Sequence, residues 1–561
     1  MDLKKAFENK KTEFKDLQNR QDADRKLVEL TKYVLNDVEG HKVPYAISVT
    51  LNDIAVFDAN VESALGSATE QVVVESEDKN LDTAYIEEFV RAAFASANSR
   101  LMKSGGFPLN PYFDQQMCRR GRGAARCLFR MENGLLIPDI TPWDTRYVYY
   151  EMGSEGLVWA AYETTRSKDA ILAEYPGANV GGKEAVVLDI WGTESNEVWV
   201  GGKKILEQKH HYGNVPVCVQ VVPMGSMLAD KDSQKNQGES IFFLIRDLVP
   251  ELNRLVSIIQ SLDMKALDNA LLWKSTQGIE AEIIPGHRDL TKPGNVTAAD
   301  IGGGAEPVNY GELKRSAYLL HSMIETRIQR GGVSNVDLGI MGNQPWSAIA
   351  LVEIGEGRDQ LFFPRLGSRG LLNRQLAEML IDQIIRTGET SVELGVRGHK
   401  RTFDVRKLQG EYNVSFKYFI KSPKIDAARF SMAAAAGHLI SDKSKRRDIL
   451  QREDPEEDER WLRWEEIETL VPTIKMRRDI KALIEMAERG DEDAEAEAKL
   501  AADFLGITEE EILSGTTEKP KPKEEEKPQP LVPMFGKSGA ASSAQKAAEL
   551  QAQPRESEGE E

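Results

Sequence analysis

Cysteine is nearly absent from this 561-residue chain: Cys118, Cys127 and Cys218 are all there is, too few and too unevenly spaced for a zinc site or a disulfide framework. Maturation in a reducing cytoplasm is therefore expected. Long apolar runs are missing too. No stretch approaches the ~18 residues that cross a bilayer, so no membrane partner is expected. The opening MDLKKAFENKKTEFKDL lacks the apolar core of a secretion signal and reads as a charged helix. Positive charge is also short, with 72 Lys and Arg against 90 Asp and Glu and a formal net charge of −18. That argues against a grip on duplex DNA over the general surface, since such grip comes from cations displacing counterions from phosphates.

Catalytic machinery is equally hard to find, and neither an enzyme nor a cofactor is expected. Gly177 to Lys183 (GANVGGK) has the spacing of a phosphate-binding loop, but Glu184 stands where a Ser or Thr hydroxyl should meet magnesium. It also follows a helix-like DAILAEYP and precedes a strand, whereas such a loop presents its N–H groups at a helix start. His210, His211 and His438 have no Cys or carboxylate at metal-ligand spacing. The acidic run 452–468 is interleaved with Arg460 and Arg463 and reads as a self-paired, solvated face. No nucleophile elbow or Ser/His/Asp grouping stands out.

What is present is a globular composition, 41% apolar and 29% charged, long enough for three or four domain-sized units. The chain is organised around residues 239–329. Ile241, Ile245, Leu248, Leu252, Leu255, Ile259, Leu262 and Ala266 step by four and three, an apolar seam of period 3.5 over a helix placed at 239–272. Pro250, off the seam, kinks that helix or opens a fresh one. A second rod at 310–331 carries Leu313, Ala317, Leu320, Ile324 and Ile328. The two form either an ordinary hairpin buried in one large domain or a pair of rods whose stripes need outside partners.

Around them the order is legible. Residues 1–38 form a charged helical arm, expected to be flexible. Residues 39–238 read as an α+β unit. It has a helix within 43–74 and a strand at its end, then a helix over Asp82 to Lys103. A second helix is expected from Pro111 to Arg130, with Arg119, Arg120, Arg122, Arg126 and Arg130 solvated, paired to acidic neighbours or touching DNA. Strands follow, with turns at Gly134, Pro142, Gly153, Gly192-Thr193 and Gly201-Gly202. Between the rods, 273–309 is Gly- and Pro-rich with short strand propensity. After them come an apolar, Gly-punctuated loop at 332–346, and a long helix at 347–388 broken near Gly355, Gly357, Pro364, Gly367 and Gly370. Strands at 389–426, a helical part at 427–514 and a polar, flexible tail at 515–561 complete the chain.

This order resembles the portal proteins of tailed bacteriophages, the head-to-tail connectors. RRGRGAAR with DITPWDTRYVYYEMGSEGLVWAAY resembles the portal wing. HHYGNVPVCVQVV ahead of GESIFFLIRDLVPELNRLVSIIQSL resembles the approach to the first stem helix. GELKRSAYLLHSMIETRIQRGGVSN with DLGIMGNQPWSAIAL resembles the second stem helix running into the tunnel loop.

The resemblance implies an α+β portal-like fold with a wing, helical stem, small β-containing clip (273–309) and helical crown (427–514), assembled as a homo-oligomeric ring of twelve. Ile241, Ile245, Leu248, Leu252, Leu255, Ile259, Leu262, Leu313, Leu320 and Ile324 would make stem contacts between subunits. Lys274, His287, Arg288 and Lys292 would dock partners at the clip. Leu338, Ile340, Met341, Asn343 and Gln344 would line the DNA channel. Implied partners are the terminase large subunit, a head–tail adaptor, the major capsid protein, and double-stranded DNA passing weakly bound, in a virion assembled in host cytoplasm. Alternatives are an oligomeric scaffold or tail-tube protein, or a packaging ATPase resting on Gly177 to Lys183 alone.

Overall fold

The computed structural model describes residues 2–78, 80–132, 135–228, 230–267, 271–274, 304–307, 315–331, 348–420, 433–437, 439–450 and 455–470, with the single positions 430, 452 and 480. It divides into two compact units, Met1–Arg460 and Trp461–Glu561. The first mixes helix and sheet.

The chain opens with α1 (Leu3–Glu13) and α2 (Lys15–Val28), α1 capped by the Asp2 side chain accepting from Lys5 N–H. These helices are not a loose arm, contrary to expectation. Leu3, Phe7, Phe14 and Leu17 are buried against Tyr149, Trp159, Leu188 and Ile190. Next come α3 (Asp53–Gly66), β1 (Ala68–Glu75), α4 (Thr83–Lys103) and α5 (Leu109–Arg119). The helix expected over 111–130 therefore stops early, and β2 (Arg122–Glu132) begins. Gly121, at φ +70°, ends the helix, and the next residues pair with two strands at once.

β3 (Leu135–Trp143) flanks β2 at a sheet edge, where Pro138 and Pro142 lack no ladder hydrogen bond; Pro142 sits in the strand rather than at a turn. β4 (Val148–Gly153), β5 (Gly156–Ser167), α6 (Lys168–Glu174), β6 (Glu184–Gly192), β7 (Ser195–Val200) and β8 (Lys203–Lys209) follow. Strands β4 to β8 form a five-stranded antiparallel meander with α1 on one face. Its turns fall at Gly192-Thr193 and Gly201-Gly202, as the sequence predicts. The outer strand β8 carries Lys203, Lys204 and Lys209, which disfavour edge pairing with another chain. β9 (Val217–Val221) completes the β3–β2–β9 sheet.

After β9 the first rod differs from expectation: 241–247 is a chain of turns, and the helix α7 runs Leu248–Leu267 with Pro250 in its first turn. Proline fits there because the first-turn N–H groups have no helical acceptor. β10 (Leu271–Lys274) pairs antiparallel with β11 (Gly304–Pro307), and α8 (Arg315–Gly331) returns.

The helix expected to be broken is one 40-residue helix, α9 (Ala348–Thr387), running through Pro364 and all four glycines. At Gly370 a Cβ would stand 3.1 Å from the Phe416 carbonyl, so this glycine lets a strand approach rather than ending the helix. That strand is β14 (Asn413–Ile420), which follows the hairpin of β12 (Ser391–Val396) and β13 (His399–Asp404) and pairs with β1. The main core lies where α4, α5 and α9 meet these strands, around Phe89, Phe113, Leu372, Leu376 and Phe403. A helix Pro455–Leu470 is the last described element.

A buried polar knot ties this core together. Arg369 on α9 pairs with Asp114 on α5 and lies 4.1 Å over the Tyr418 ring, while Glu70 on β1 accepts from Tyr418 Oη at 3.0 Å and Asn110 Nδ2 at 2.9 Å. Burial outweighs Arg369 and pushes the Asp114 carboxyl up to about 6. A raised folded pKa means a contribution to stability that is full below the unfolded value, about 4, and lost as pH climbs through about 6. Comparing wild type with Asp114→Asn, the stability difference should shift by about 1 kcal/mol against wild type between pH 5 and 7. A flat difference over that range would show that Asp114 is already ionised at pH 5.

Candidate functional site

The candidate site is the helical pair and its approach, because there the apolar seam is divided between the chain's own core and its surface. The approach is fixed first. Gly121 and Gly238 meet backbone to backbone: a Cβ on Gly121 would lie 1.9 Å from the Gly238 carbonyl oxygen, itself at φ +64°. Ile241 N–H donates to Cys118 O at 2.9 Å and Glu239 N–H to Met224 O at 3.1 Å.

A buried ion cluster from α2 closes around this point. Asp24, fully buried, accepts from Arg246 Nε at 2.5 Å, Arg246 Nη2 at 2.9 Å and Ser240 Oγ at 2.8 Å. Glu239 accepts from Arg246 Nη2 at 2.7 Å and lies 3.3 Å from Arg20, which donates to Gly238 O at 2.7 Å. Burial opposes the charge on Arg246, yet the hydrogen bonds to Asp24 and Glu239 outweigh it and raise its pKa. Burial, aided by Arg122 and Arg246, lowers Arg20 to about 10. Both cations keep their charge at neutral pH.

The predicted stem contacts then separate. Ile241 and Ile245 are buried in the chain's own core with Ile54, Phe57, Val61 and Phe362, so they are not exposed for a second subunit. Leu252 and Leu255 are buried against Ile324 of α8, with Leu248 and Ile328 packed alongside; these too are internal contacts. Ile259 and Leu262 are half-buried. Leu320 is exposed, together with Tyr318, Leu319 and Met323 on α8 and Met264 on α7, between 44 and 59% exposed in each case. Thus one stripe of the hairpin is filled from within, and large apolar side chains elsewhere on it are exposed. Leu313 lies outside the described residues.

A polar face of α7 went unread in the sequence. Asn253, Ser257 and Ser261 recur every fourth residue and accept from Leu51 N–H (3.0 Å), Val49 N–H (2.9 Å) and Ile47 N–H (2.9 Å) of an extended segment laid along the helix. Each serine hydroxyl donates to the helix carbonyl four residues back, at 2.7 and 2.6 Å, which aims its lone pairs at the segment. The serine and asparagine spacing was the available signal, hidden because the acceptors' partners lie about 200 residues away.

The remaining predicted features resolve as structure. Arg119 pairs with Asp58 at 2.7 Å, Arg120 with Asp144 at 3.5 Å, Arg126 with Asp139 at 3.3 Å and Arg130 with Asp139 at 2.5 Å. Arg122 donates to Tyr150 Oη at 3.0 Å. The basic cluster is thus an internal lattice of ion pairs, the second of its three readings. Gly177 to Lys183 follows the end of α6 and leads into β6, so it does not open a helix as a phosphate-binding loop does. His210 donates from Nε2 to Gly192 O (3.1 Å) and packs beside Tyr212 and Trp191; burial lowers its pKa. Among the described residues, no group of three or more His, Cys, Asp or Glu could hold a metal ion, and no helix is long and apolar enough to cross a membrane. Lys274 lies at the end of β10. His287, Arg288, Lys292, Leu338, Ile340, Met341, Asn343 and Gln344 fall outside the described residues, as does His438.

No family model matches the chain, and no curated protein matches it. Among solved structures, it is similar to a chain of the neck of an empty gene transfer agent (GTA) particle computed with C6 symmetry, at 13% identity and a TM-score of 0.36, over 71% of this chain and 89% of that one. A chain from the virion of a native GTA particle gives 14% identity and a TM-score of 0.36 over 71% and 89%. One from the neck of a native GTA particle computed with C12 symmetry gives 14% and 0.29 over 69% and 97%.

Proposed function

We propose that this chain is the subunit of a portal ring at the capsid vertex of a tailed-phage type of particle, a channel through which DNA is packaged and ejected. One observation carries the reading. The hairpin of α7 and α8 satisfies its inner stripe with its own residues yet leaves Tyr318, Leu319, Leu320, Met323 and Met264 facing out. Large apolar side chains concentrated on a helical pair in this way favour an interface. A copy of the same chain, rotated about an axis, covers it at every position and closes without end. In this reading twelve copies assemble, β10 and β11 lead into the clip, and the terminase large subunit docks there before a head–tail adaptor. The major capsid protein surrounds the wing, and residues 338–344 line the channel.

The net charge of −18 serves the same role. Acidic surface repels a polyanion over about one Debye length, ~8 Å at physiological salt, so duplex DNA slides past rather than adhering.

The test is the particle mass of the full chain in solution and of Leu319→Glu/Met323→Glu. Wild type is expected at twelve times the mass of one chain. Both substituted positions are exposed, so the variant should fold with unchanged circular dichroism, yet run as single chains, because burying unpaired carboxylates at a contact costs several kcal/mol. A wild type that is itself a single chain, or rings that survive the double substitution, would remove the reading's support.

A further inference from the structure

The hairpin of β12 and β13, with the short helical turn Val405–Leu408 that follows it, concentrates cations on an otherwise acidic protein. Residues 395–407 hold Arg397, Lys400, Arg401, Arg406 and Lys407 against Asp404 alone, and all five cations are exposed. The ribbon is rigidly mounted. Val392, Leu394 and Phe403 are buried on its inner side, and Phe403 meets Tyr85 and Phe89 of α4 with ring centroids 5.5 Å apart in both pairs. Its tip is tight: Gly395 (φ +120°) and Gly398 (φ +93°) turn the chain so closely that a Cβ on Gly395 would lie 2.3 Å from the His399 carbonyl oxygen. Arg397 is thereby held at the apex.

The cations differ in how far they are already satisfied. Arg401 pairs with Glu88, and Arg406 with its neighbour Asp404 at 2.9 Å. Lys400 reaches Glu393 at 2.8 Å across an exposed surface, where water screens the pair and an incoming phosphate can compete. Arg397 and Lys407 form no ion pair within 4 Å among the described residues, and Lys407 lies 5.1 Å over the Tyr85 ring. Two strands of six residues extend roughly 20 Å, at ~3.4 Å per residue. A duplex strand rises ~3.4 Å per phosphate but turns about the axis once in ~34 Å, so a straight segment of that length reaches about two or three phosphates.

We propose that the β12–β13 ribbon is a contact for the phosphate backbone of duplex DNA, with Arg397, Lys400 and Lys407 supplying the charge. The proposal rests on the portal reading, which brings a duplex alongside this chain. It gives the acidic ring one place where DNA is held, reversibly and without regard to base sequence, since the contacts are to phosphate.

The experiment compares two triple variants of the full chain binding a short duplex of random sequence across a salt series. Arg397→Gln/Lys400→Gln/Lys407→Gln alters the ribbon. Lys203→Gln/Lys204→Gln/Lys209→Gln, on β8, changes net charge by the same amount elsewhere. Each phosphate contact contributes about 0.9 to the slope of log affinity against log salt. The ribbon variant should therefore lose about two to three from that slope and at least tenfold in affinity near 0.1 M salt, while the β8 variant keeps the wild-type slope. Equal losses in both would assign the effect to overall charge and overturn the proposal. So would an unchanged slope in the ribbon variant; if its ring mass fell at the same time, the ribbon would instead face an acidic surface of a second copy. Ribbon-dependent binding by a wild type that stays a single chain would uphold the contact and sink the portal reading alone.

Discussion

Gly121→Val is expected to prevent the chain from reaching its folded state, the largest effect foreseen for any single position. Two penalties coincide there. The backbone at φ +70° is one that a β-branched residue strongly disfavours, at about 1–2 kcal/mol. In addition, the new Cβ would lie 1.9 Å from the Gly238 carbonyl oxygen and 2.4 Å from its carbon, so backbone rather than a pliable side chain must move. Moving it separates the start of β2 from the approach to α7 and loosens the Ile241-to-Cys118 hydrogen bond. Together these amount to roughly 4 kcal/mol or more. Gly105→Ala provides the contrast: it shares a positive φ of +82° but has nothing within 4 Å, so about 1 kcal/mol is expected. Expression in soluble form and thermal unfolding measure both. If Gly121→Val melts within a few degrees of wild type, the tight approach of the two backbones is wrong.

Asp24→Ala should be nearly as damaging. It removes the carboxylate that accepts three hydrogen bonds from Arg246 and Ser240, and leaves a partly buried guanidinium with Glu239 as its remaining partner. Breaking a buried pair by deleting one member costs about 3–5 kcal/mol; because Glu239 remains, we expect about 3. At roughly 2 °C per kcal/mol in a large domain, the melting temperature falls by about 6 °C. Asp24→Asn, which retains the shape and part of the hydrogen bonding, should lose less. An Asp24→Ala chain with a wild-type melt would mean that α2 does not anchor the approach to α7. Rings that form from a melted-down but folded Asp24→Ala chain would separate this anchoring from assembly.

The two substitutions bear on what could be read from the letters alone. Period-3.5 spacing predicted a helix over 239–272, and α7 occupies Leu248–Leu267 of it, since a helix repeats its apolar positions whatever covers them. The same spacing continues through Ile241 and Ile245, where the chain is a series of turns buried in its own core. Periodicity records that a side chain leaves water, not which surface receives it. Pro364 and the glycines of α9 suggested a broken helix for a comparable reason: their intrinsic cost is local, whereas the packing of Gly370 against β14 that retains them is not. The RRGRGAAR cluster looked most like a nucleic-acid patch in sequence, yet its carboxylate partners Asp58, Asp139 and Asp144 come from other elements. Arg397 and Lys407, without a close ion pair among the described residues, lay in a stretch read only as strand.

By itself, the sequence determined the mixed helix-and-sheet class, the presence of the helical pair and the acidic balance. These follow from local periodicity, turn residues and composition, which act over a few residues at a time. Only the tertiary structure decided which half of the apolar seam is internal, that the N-terminal helices anchor the approach to α7, and which arginines are neutralised. Each of those depends on residues far apart in the chain meeting in a low-dielectric interior, where an ion pair or an apolar contact is defined by its partner.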